Sequence, residues 1–389
     1  MMDTGRPSVA ADGRPATAEL RSAASGGRAA GAGWTGATGP GSHRFAQRFA
    51  ADFVADFYRP GPGDLRLSSL GIGTYLGESD DADDARYARA IGIAIASGVN
   101  VVDTAINYRC QRSERTVGRA VAAAIASGVA SRDELVVCTK GGYIPLDGSV
   151  PTREEYQAMV QRDYLDRGLM QRDEVVAGGH SIAPSFLADQ IARSRANFGG
   201  LAIDIYYLHN PEQQIAATGE MVFRERLIRA FELLEARVEA GDIGCYGCAT
   251  WNGLRAAPGS RDHLSLATLL EVAHAVAGDA HHFCAVQLPV SLAMSEAVRA
   301  PTQRVRGRDV TLLEAAVDLG VTVIASAPLM QAALARGLPA AVRDALPPLG
   351  TDAQRALAFV RDLPGLASAL VGMRDPAHVE ENLGIGQRA

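Results

Sequence analysis

From Leu67 onward the chain alternates between two hydrophobic periods. Short apolar runs of strand length, such as VVD at 101–103 and VVCTK at 136–140, precede stretches whose apolar residues recur at helical spacing. Runs at 67–75, 100–105, 134–140, 202–209, 242–249, 283–288, 321–327 and 367–372 read as strands. Helices are expected between them, over 112–127, 184–198, 221–240, 309–319 and 352–361 among others. Glycine-containing stops such as SGVN at 97–100, EAGDI at 239–243 and DLGVT at 318–322 recur at the helix-to-strand turns, where a left-handed residue ends a helix best without a Cβ. Several strands are apolar on both faces, so helices must cover the outside and layered side chains fill the inside. The expected fold class is α/β, a single-domain (β/α)8 TIM barrel over 45–389. The rival is an open doubly wound sheet, which needs a glycine-rich phosphate loop after its first strand. Here GIGTYLG runs into ESDDADD, an acidic stretch that repels pyrophosphate.

Two regions break the alternation. Residues 1–44 are mostly Ala, Gly, Ser, Arg and Thr, with too little apolar surface to offset the entropy of ordering, and read as a disordered leader. A short helix near 45–57 should follow and pack on the barrel. The second region, 144–183, is an insertion that leaves the C-terminal end of the third strand and so begins on the catalytic face. Within it, EEYQAMVQRDYLDRGL suits an amphipathic helix with its tyrosines and Met159 inward. A lid or pocket wall is the expected use, and a subunit contact is the other use of the same apolar stripe.

Composition narrows the class. A hydrophobic fraction of 47% allows a large core, and a net charge of -6 argues against the basic face of a nucleic-acid binder. No run reaches the length of a membrane span, and the N-terminus lacks a signal-peptide apolar block. The expectation is a cytoplasmic enzyme, monomer or homodimer, with a small-molecule substrate and neither membrane nor nucleic-acid partner. Cys110, Cys138, Cys245, Cys248 and Cys284 are too scattered for a disulfide framework, which suggests a reducing compartment. Cys245-x-x-Cys248 has the spacing of a metal or redox pair but lies in a strand pattern, so it reads as core filling. His281 and His282 precede the sixth strand, at the end of the barrel away from the expected site. No metal set is expected.

Chemistry in such a barrel sits at the C-terminal strand ends. Asp103 ends the second strand, Tyr108 lies in its loop, Lys140 ends the third strand and His209 the fourth. Singly, each has a bland role as loop cap, apolar plug, snorkelling cation or core histidine. Together they are complementary. An ammonium favours ionisation of a nearby phenol, a carboxylate holds that ammonium charged, and an imidazole steadies a developing alkoxide. None supplies electrons, so an oxidoreductase reading requires a bound cofactor.

DTAINYRCQRSERTVGRAV, VVCTKGG and DIYYLHNPE resemble, in order and strand position, the signature segments of the aldo-keto reductases. GDIGCYGCATW, AVQLP and LVGMRDPAHVEENLG are similar to that family's later cofactor-side segments, so the resemblance covers roughly 67–386. It implies hydride transfer between NADPH or NADH and a carbonyl or secondary alcohol of a sugar, lactol or secondary metabolite. Tyr108 would exchange the proton, Lys140 tune it, Asp103 pair with the lysine and His209 orient the substrate. Gln287 would meet the carboxamide. The family's Ser-Asn is replaced by Ala249 and Thr250, leaving Thr250 one hydroxyl, and Ser326 stands where an aromatic ring commonly stacks. Arg374 would grip a 2'-phosphate, favouring NADPH, although Asp375 beside it adds an opposing charge. Glu381 and Asn382 would lie near the adenine or merely cap the last helix. Trp251 and His180 are assigned to the substrate pocket, against core packing and an ordinary loop histidine. With its altered cradle and long insertion the chain resembles an atypical member. Redox-neutral elimination or epimerisation, with a cofactor recycled internally, is therefore a second function, and a non-catalytic scaffold a third.

Overall fold

The computed structural model describes residues 33–388, within which eight parallel strands close into a barrel. In chain order these are β1 (Leu70–Gly73), β2 (Val101–Asp103), β3 (Val136–Gly141), β4 (Ile203–His209), β5 (Ile243–Ala249), β6 (Phe283–Pro289), β7 (Thr322–Ser326) and β8 (Leu366–Val371). Each pairs in parallel with the next, and β8 returns to β1. The main outer helices are α1 (Asp81–Ala96), α2 (Arg112–Ala126), α3 (Pro184–Asn197), α4 (Glu220–Glu239), α5 (Leu266–Ala277), α6 (Leu312–Leu319), α7 (Asp352–Arg361) and α8 (Pro376–Leu383). The two-sided apolar pattern has the expected cause. Val101, Val136, Ile205, Tyr207 and Ile324 fill the interior, while their neighbours Val102, Val137, Tyr206, Leu208 and Val323 pack under the helices. Side chains cap the helices as their sequences specify. Asp80 accepts from Asp83 N at the start of α1, Thr311 and Thr351 form capping boxes on α6 and α7, and left-handed Gly320 closes α6.

Four expectations need correction. The first strand, expected over 67–75, is interrupted at Ser69. Arg66–Ser68 pairs antiparallel with Tyr58–Pro60, and Ser69 N donates to Phe57 O, so the barrel strand begins only at Leu70. The leader does not extend to 44. Residues 1–32 lie outside the described residues, but Trp34 is half-buried, Ala37 N donates to the Asp204 carboxylate at 2.6 Å, and Thr38 caps a helix over Gly39–Arg48. Arg44 and Arg48 of that helix converge on buried Glu134, which ties it to the barrel. This helix replaces the one expected over 45–57. Low apolar content hid an ordering that comes from long-range polar contacts.

The insertion is the third correction. Its helix, Arg153–Val160, continues in a wide π turn over Gln161–Leu165, and Ile144, Tyr164, Met170, Ala183 and Phe186 form a separate small core against α3. Tyr164 is buried as expected, with Arg193 5.5 Å over its ring. No residue of 144–183 lines the central cavity, so the segment is not a pocket wall. Apart from exposed Val150, its large apolar side chains pack on one another and on α3.

Cys245 and Cys248 lie on opposite faces of β5, as residues three apart in a strand must. Cys245 instead pairs with Cys284 on the adjacent strand β6, with Cα atoms 6.3 Å apart. The expectation that the cysteines stay unpaired fails here, because cross-strand register decides which thiols meet. Among the described residues no helix is long and apolar enough to cross a membrane, and no cluster of His, Cys, Asp or Glu could hold a metal ion.

Candidate active site

The barrel brings Asp103, Lys140 and His209 together from the ends of three adjacent strands. Tyr108 is set by the loop after β2, where Arg109, Cys110 and Gln111 follow it with φ of 48, 53 and 68°. Three successive non-glycine residues in the left-handed region are strained and must be held. Buried Arg109 does so, donating to Glu78 O at 2.7 Å, Asp80 O at 3.2 Å and the Asp84 carboxylate at 2.6 Å. The phenol is thereby anchored to the loop after β1.

Lys140 Nζ donates to Asp103 Oδ1 and, at 2.8 Å, to Thr104 O. Gln287 Nε2 donates to the other Asp103 oxygen at 2.9 Å. Lys140 Nζ lies 5.1 Å from the centre of the Tyr108 ring, whose centre is 5.9 Å from that of His209. Burial pushes the Tyr108 phenol above its ordinary value, and the charge of Lys140 opposes this only in part. Burial also raises the Asp103 carboxyl against the opposing pull of Lys140. Lys140 stays charged because burial, which lowers it most, is outweighed by Asp103 and Tyr108 together. His209 is held well below its ordinary value, first by burial and then by Lys140, so it is neutral; its Nδ1 is buried without a protein partner. The arrangement is a protonated phenol flanked by a fixed cation and a neutral imidazole, suited to giving a proton to a carbonyl oxygen.

Asp103, Tyr108 and His209 open on a cavity of about 1510 Å³, with Lys140 buried against Asp103. Gln287, Thr250, Ser326, Arg374, Glu381 and Asn382 all line it, as does Trp251, which is partly exposed. The Thr250 hydroxyl oxygen is buried with no protein partner, a group arranged for a ligand. Trp251 is set by Glu212, a buried carboxylate accepting from the backbone N of Trp251 at 2.6 Å and of Asn252 at 3.1 Å. Asp375 accepts from Ala377 N and caps α8. The anion that engages Arg374 is Asp83, at 2.8 Å.

His180 is the misplaced member of the expected set. It is fully buried behind His209 and does not line the cavity. Residues that sequence reasoning missed do line it: Tyr75, Asn107, Tyr143 and Asn210. Tyr75 packs 5.0 Å from Tyr108, and Asn210, at φ 51°, donates to Tyr143 Oη at 3.0 Å. Tyr75 and Asn210 directly follow strand ends, so the strand-end rule extended by one or two residues finds them. Asn210 also has the amide side chain that tolerates a left-handed backbone.

Burial lowers His180 to about 4 from an ordinary value near 6.5. Its neutral form is native, so the unfolded chain takes up the proton first. Its contribution to stability is full above about pH 6.5 and is lost as pH falls toward 4, by about 3 kcal/mol from this one group. Urea unfolding at pH 7 and at pH 4.5 should show the loss, and His180→Gln should reduce it, leaving the part that His209 contributes. An unchanged pH slope in that variant contradicts the assignment.

The sequence profile of the Aldo/keto reductase family matches residues 69–338. A curated relative, Aldo-keto reductase AKR2E4 of Bombyx mori, is 36% identical over 105 residues, which are 26% of this chain and 32% of that protein. The matched stretch is thus about a third of that relative's length. Among solved structures, an aldo/keto reductase from Klebsiella pneumoniae in complex with NADP and acetate superposes with a TM-score of 0.55 at 20% identity, covering 85% of this chain and 89% of that one. The holo form of aldo-keto reductase AKR11C1 from Bacillus halodurans gives 0.57 at 17%, covering 84% and 90%. The glycerol dehydrogenase AKR11B4 from Gluconobacter oxydans gives 0.56 at 18%, covering 85% and 91%. At such identities the structures show a shared fold, whereas the profile spans more than half of the sequence and includes the strands that carry Asp103, Lys140 and His209. The chain belongs to the aldo/keto reductase family.

Proposed function

We propose that this protein is an NAD(P)-dependent oxidoreductase that interconverts a carbonyl and a secondary alcohol, with Tyr108 exchanging the proton. The observation that carries this reading is the convergence of Tyr108, Asp103 and neutral His209 on a single large cavity, with buried Lys140 paired to Asp103. A nicotinamide cofactor, when bound, supplies or accepts the hydride. This chain's residues suit one. Because Gln287 spends its Nε2 on Asp103, its Oε1 is left to accept from a carboxamide N–H, and the Thr250 hydroxyl serves the carboxamide oxygen. The NADP in the Klebsiella pneumoniae structure supports the same class of ligand.

In the reductive direction Tyr108 donates its proton to the carbonyl oxygen, Lys140 steadies the phenolate left behind, and His209 holds the oxygen by a hydrogen bond. Trp251, Tyr75 and Tyr143, with the amides of Asn107 and Asn210, suit a polar carbonyl compound of sugar or lactol size. NADPH is the preferred cofactor in this reading. Arg374 lines the cavity with its side chain 42% exposed, and Asp83 tempers the preference by holding one of its nitrogens.

Thr250→Val removes the hydroxyl at nearly constant volume and should weaken nicotinamide binding about tenfold by fluorescence titration, the worth of one buried hydrogen bond. Unchanged affinity removes Thr250 from the cradle. The function itself is tested by stoichiometry, with one reduced nicotinamide consumed per carbonyl reduced. Turnover of substrate with no net change in nicotinamide absorbance replaces this reading with redox-neutral elimination or epimerisation.

A further inference from the structure

We propose that His180, delivered by the 144–183 segment, is a positioning residue that holds the backbone of His209 at the end of a hydrogen-bond chain anchored by Arg226. This rests on the function proposed above.

Arg226 lies on α4 and, being a guanidinium, can only donate. Its Nη1 donates to Gln214 Oε1 at 2.7 Å, and its Nη2 to Asp173 O, within the insertion, at 2.8 Å. That fixes the Gln214 amide, so its Nε2 must be the donor facing His180 Nδ1 at 2.9 Å. His180 Nδ1 is therefore an acceptor, and the ring's single proton sits on Nε2. From there it is donated to the carbonyl oxygen of His209 at 2.8 Å. Every link is satisfied in one direction only, and Gln214 Nε2 also reaches His180 O at 3.1 Å. His180 and Gln214 are fully buried and Arg226 nearly so, where a broken link costs the full desolvation of its partner.

The chain ends where the catalytic wall bends. His209 closes β4, and Asn210 immediately turns left-handed, with its N donating to Ala249 O at 2.6 Å. The carbonyl between them is the one that His180 grips. The ring of Tyr143 stands edge-on to both imidazoles, 5.0 Å from His180 and 5.1 Å from His209. The insertion thus acts on the reaction from behind the cavity wall, without touching the substrate. Neither family motifs nor helical periodicity required a histidine at 180, and Arg226 lies in the middle of an ordinary helix.

The test uses the full chain with NADPH and p-nitrobenzaldehyde as a generic carbonyl probe. His180→Leu keeps bulk but donates nothing, and its kcat should fall between about tenfold and a hundredfold, as a small misplacement of a reacting group does. Its nicotinamide Kd should stay within about twofold of wild type, because cofactor contacts are untouched. His180→Gln keeps a donor aimed at the His209 carbonyl and should recover most of the kcat. Equal kcat in wild type and His180→Leu overturns the proposal, as does a His180→Gln no better than His180→Leu. A second measurement reads the geometry without turnover. In long-range 1H–15N spectra of histidine-labelled protein, His180 should be the Nε2–H tautomer, and Arg226→Met should keep it, because the His209 carbonyl can only accept. An Nδ1–H tautomer in either protein overturns the chain. If the wild type reduces no carbonyl, the oxidoreductase reading has failed, and the tautomer measurement alone decides this proposal.

Discussion

Tyr108→Phe should lower carbonyl reduction by about 10³-fold while nicotinamide affinity stays within about twofold, because the variant deletes one oxygen and no cofactor contact. The phenol sits above its ordinary value through burial, with Lys140 drawing it only partly back. It is therefore protonated at neutral pH and able to give a proton. The sign of the pH dependence follows. Reduction needs the phenol and should run undiminished through neutral pH, falling only on the alkaline side. Oxidation needs the phenolate and should climb over that same alkaline range. Initial rates in both directions against pH, for wild type and Tyr108→Phe, check this. A variant retaining a tenth or more of wild-type kcat assigns the proton to another group, as does a reduction rate that falls across neutrality.

Lys140→Met should cost both activity and stability. Lys140 and Asp103 are 1% and 4% exposed, so removal of the ammonium leaves a buried carboxylate supported by Gln287 alone. Breaking such a pair costs about 3–5 kcal/mol, enough to lower the melting temperature by several degrees in a barrel of this size. The deficit should shrink as pH falls, because protonated Asp103 no longer carries an unpaired charge. Adding Asp103→Asn should restore much of the lost stability and none of the lost turnover. Calorimetry of the single and double variants separates the two effects. A double variant as unstable as Lys140→Met shows that the ammonium's packing, not its charge, was the missing contribution.

Strand ends carried most of what the sequence could reveal. Asp103, Lys140 and His209 were legible because parallel strands in a barrel deliver their last residues to one face, whereas the residues from Gln287 to Asn382 were reached only through the family resemblance and include Glu381 and Asn382 on α8. What escaped depends on partners remote along the chain. The order of Trp34–Thr38 comes from Asp204 and Asp133, and no local propensity predicts it. The Cys245–Cys284 pairing needs the register of β5 against β6, which the Cys-x-x-Cys spacing pointed away from. Tyr156, Met159 and Tyr164 do form an apolar stripe, but it packs within the insertion and against α3, not over the cavity. His180 was singled out for nearness to the site, yet its partners Gln214 and Arg226 carry no motif.

Gln287 has one further consequence. Its amide touches the buried carboxylate with one end and leaves the other for a ligand. A ligand drawing on the Gln287 oxygen polarises the whole amide and strengthens the hydrogen bond it gives to Asp103. A firmer grip on Asp103 favours the ionised carboxylate, and through it the charged Lys140 beside the phenol. Occupancy of the nicotinamide position and readiness of the proton donor are then linked quantities, so cofactor binding should itself take up or release protons in a calorimeter when buffers of different ionisation enthalpy are compared.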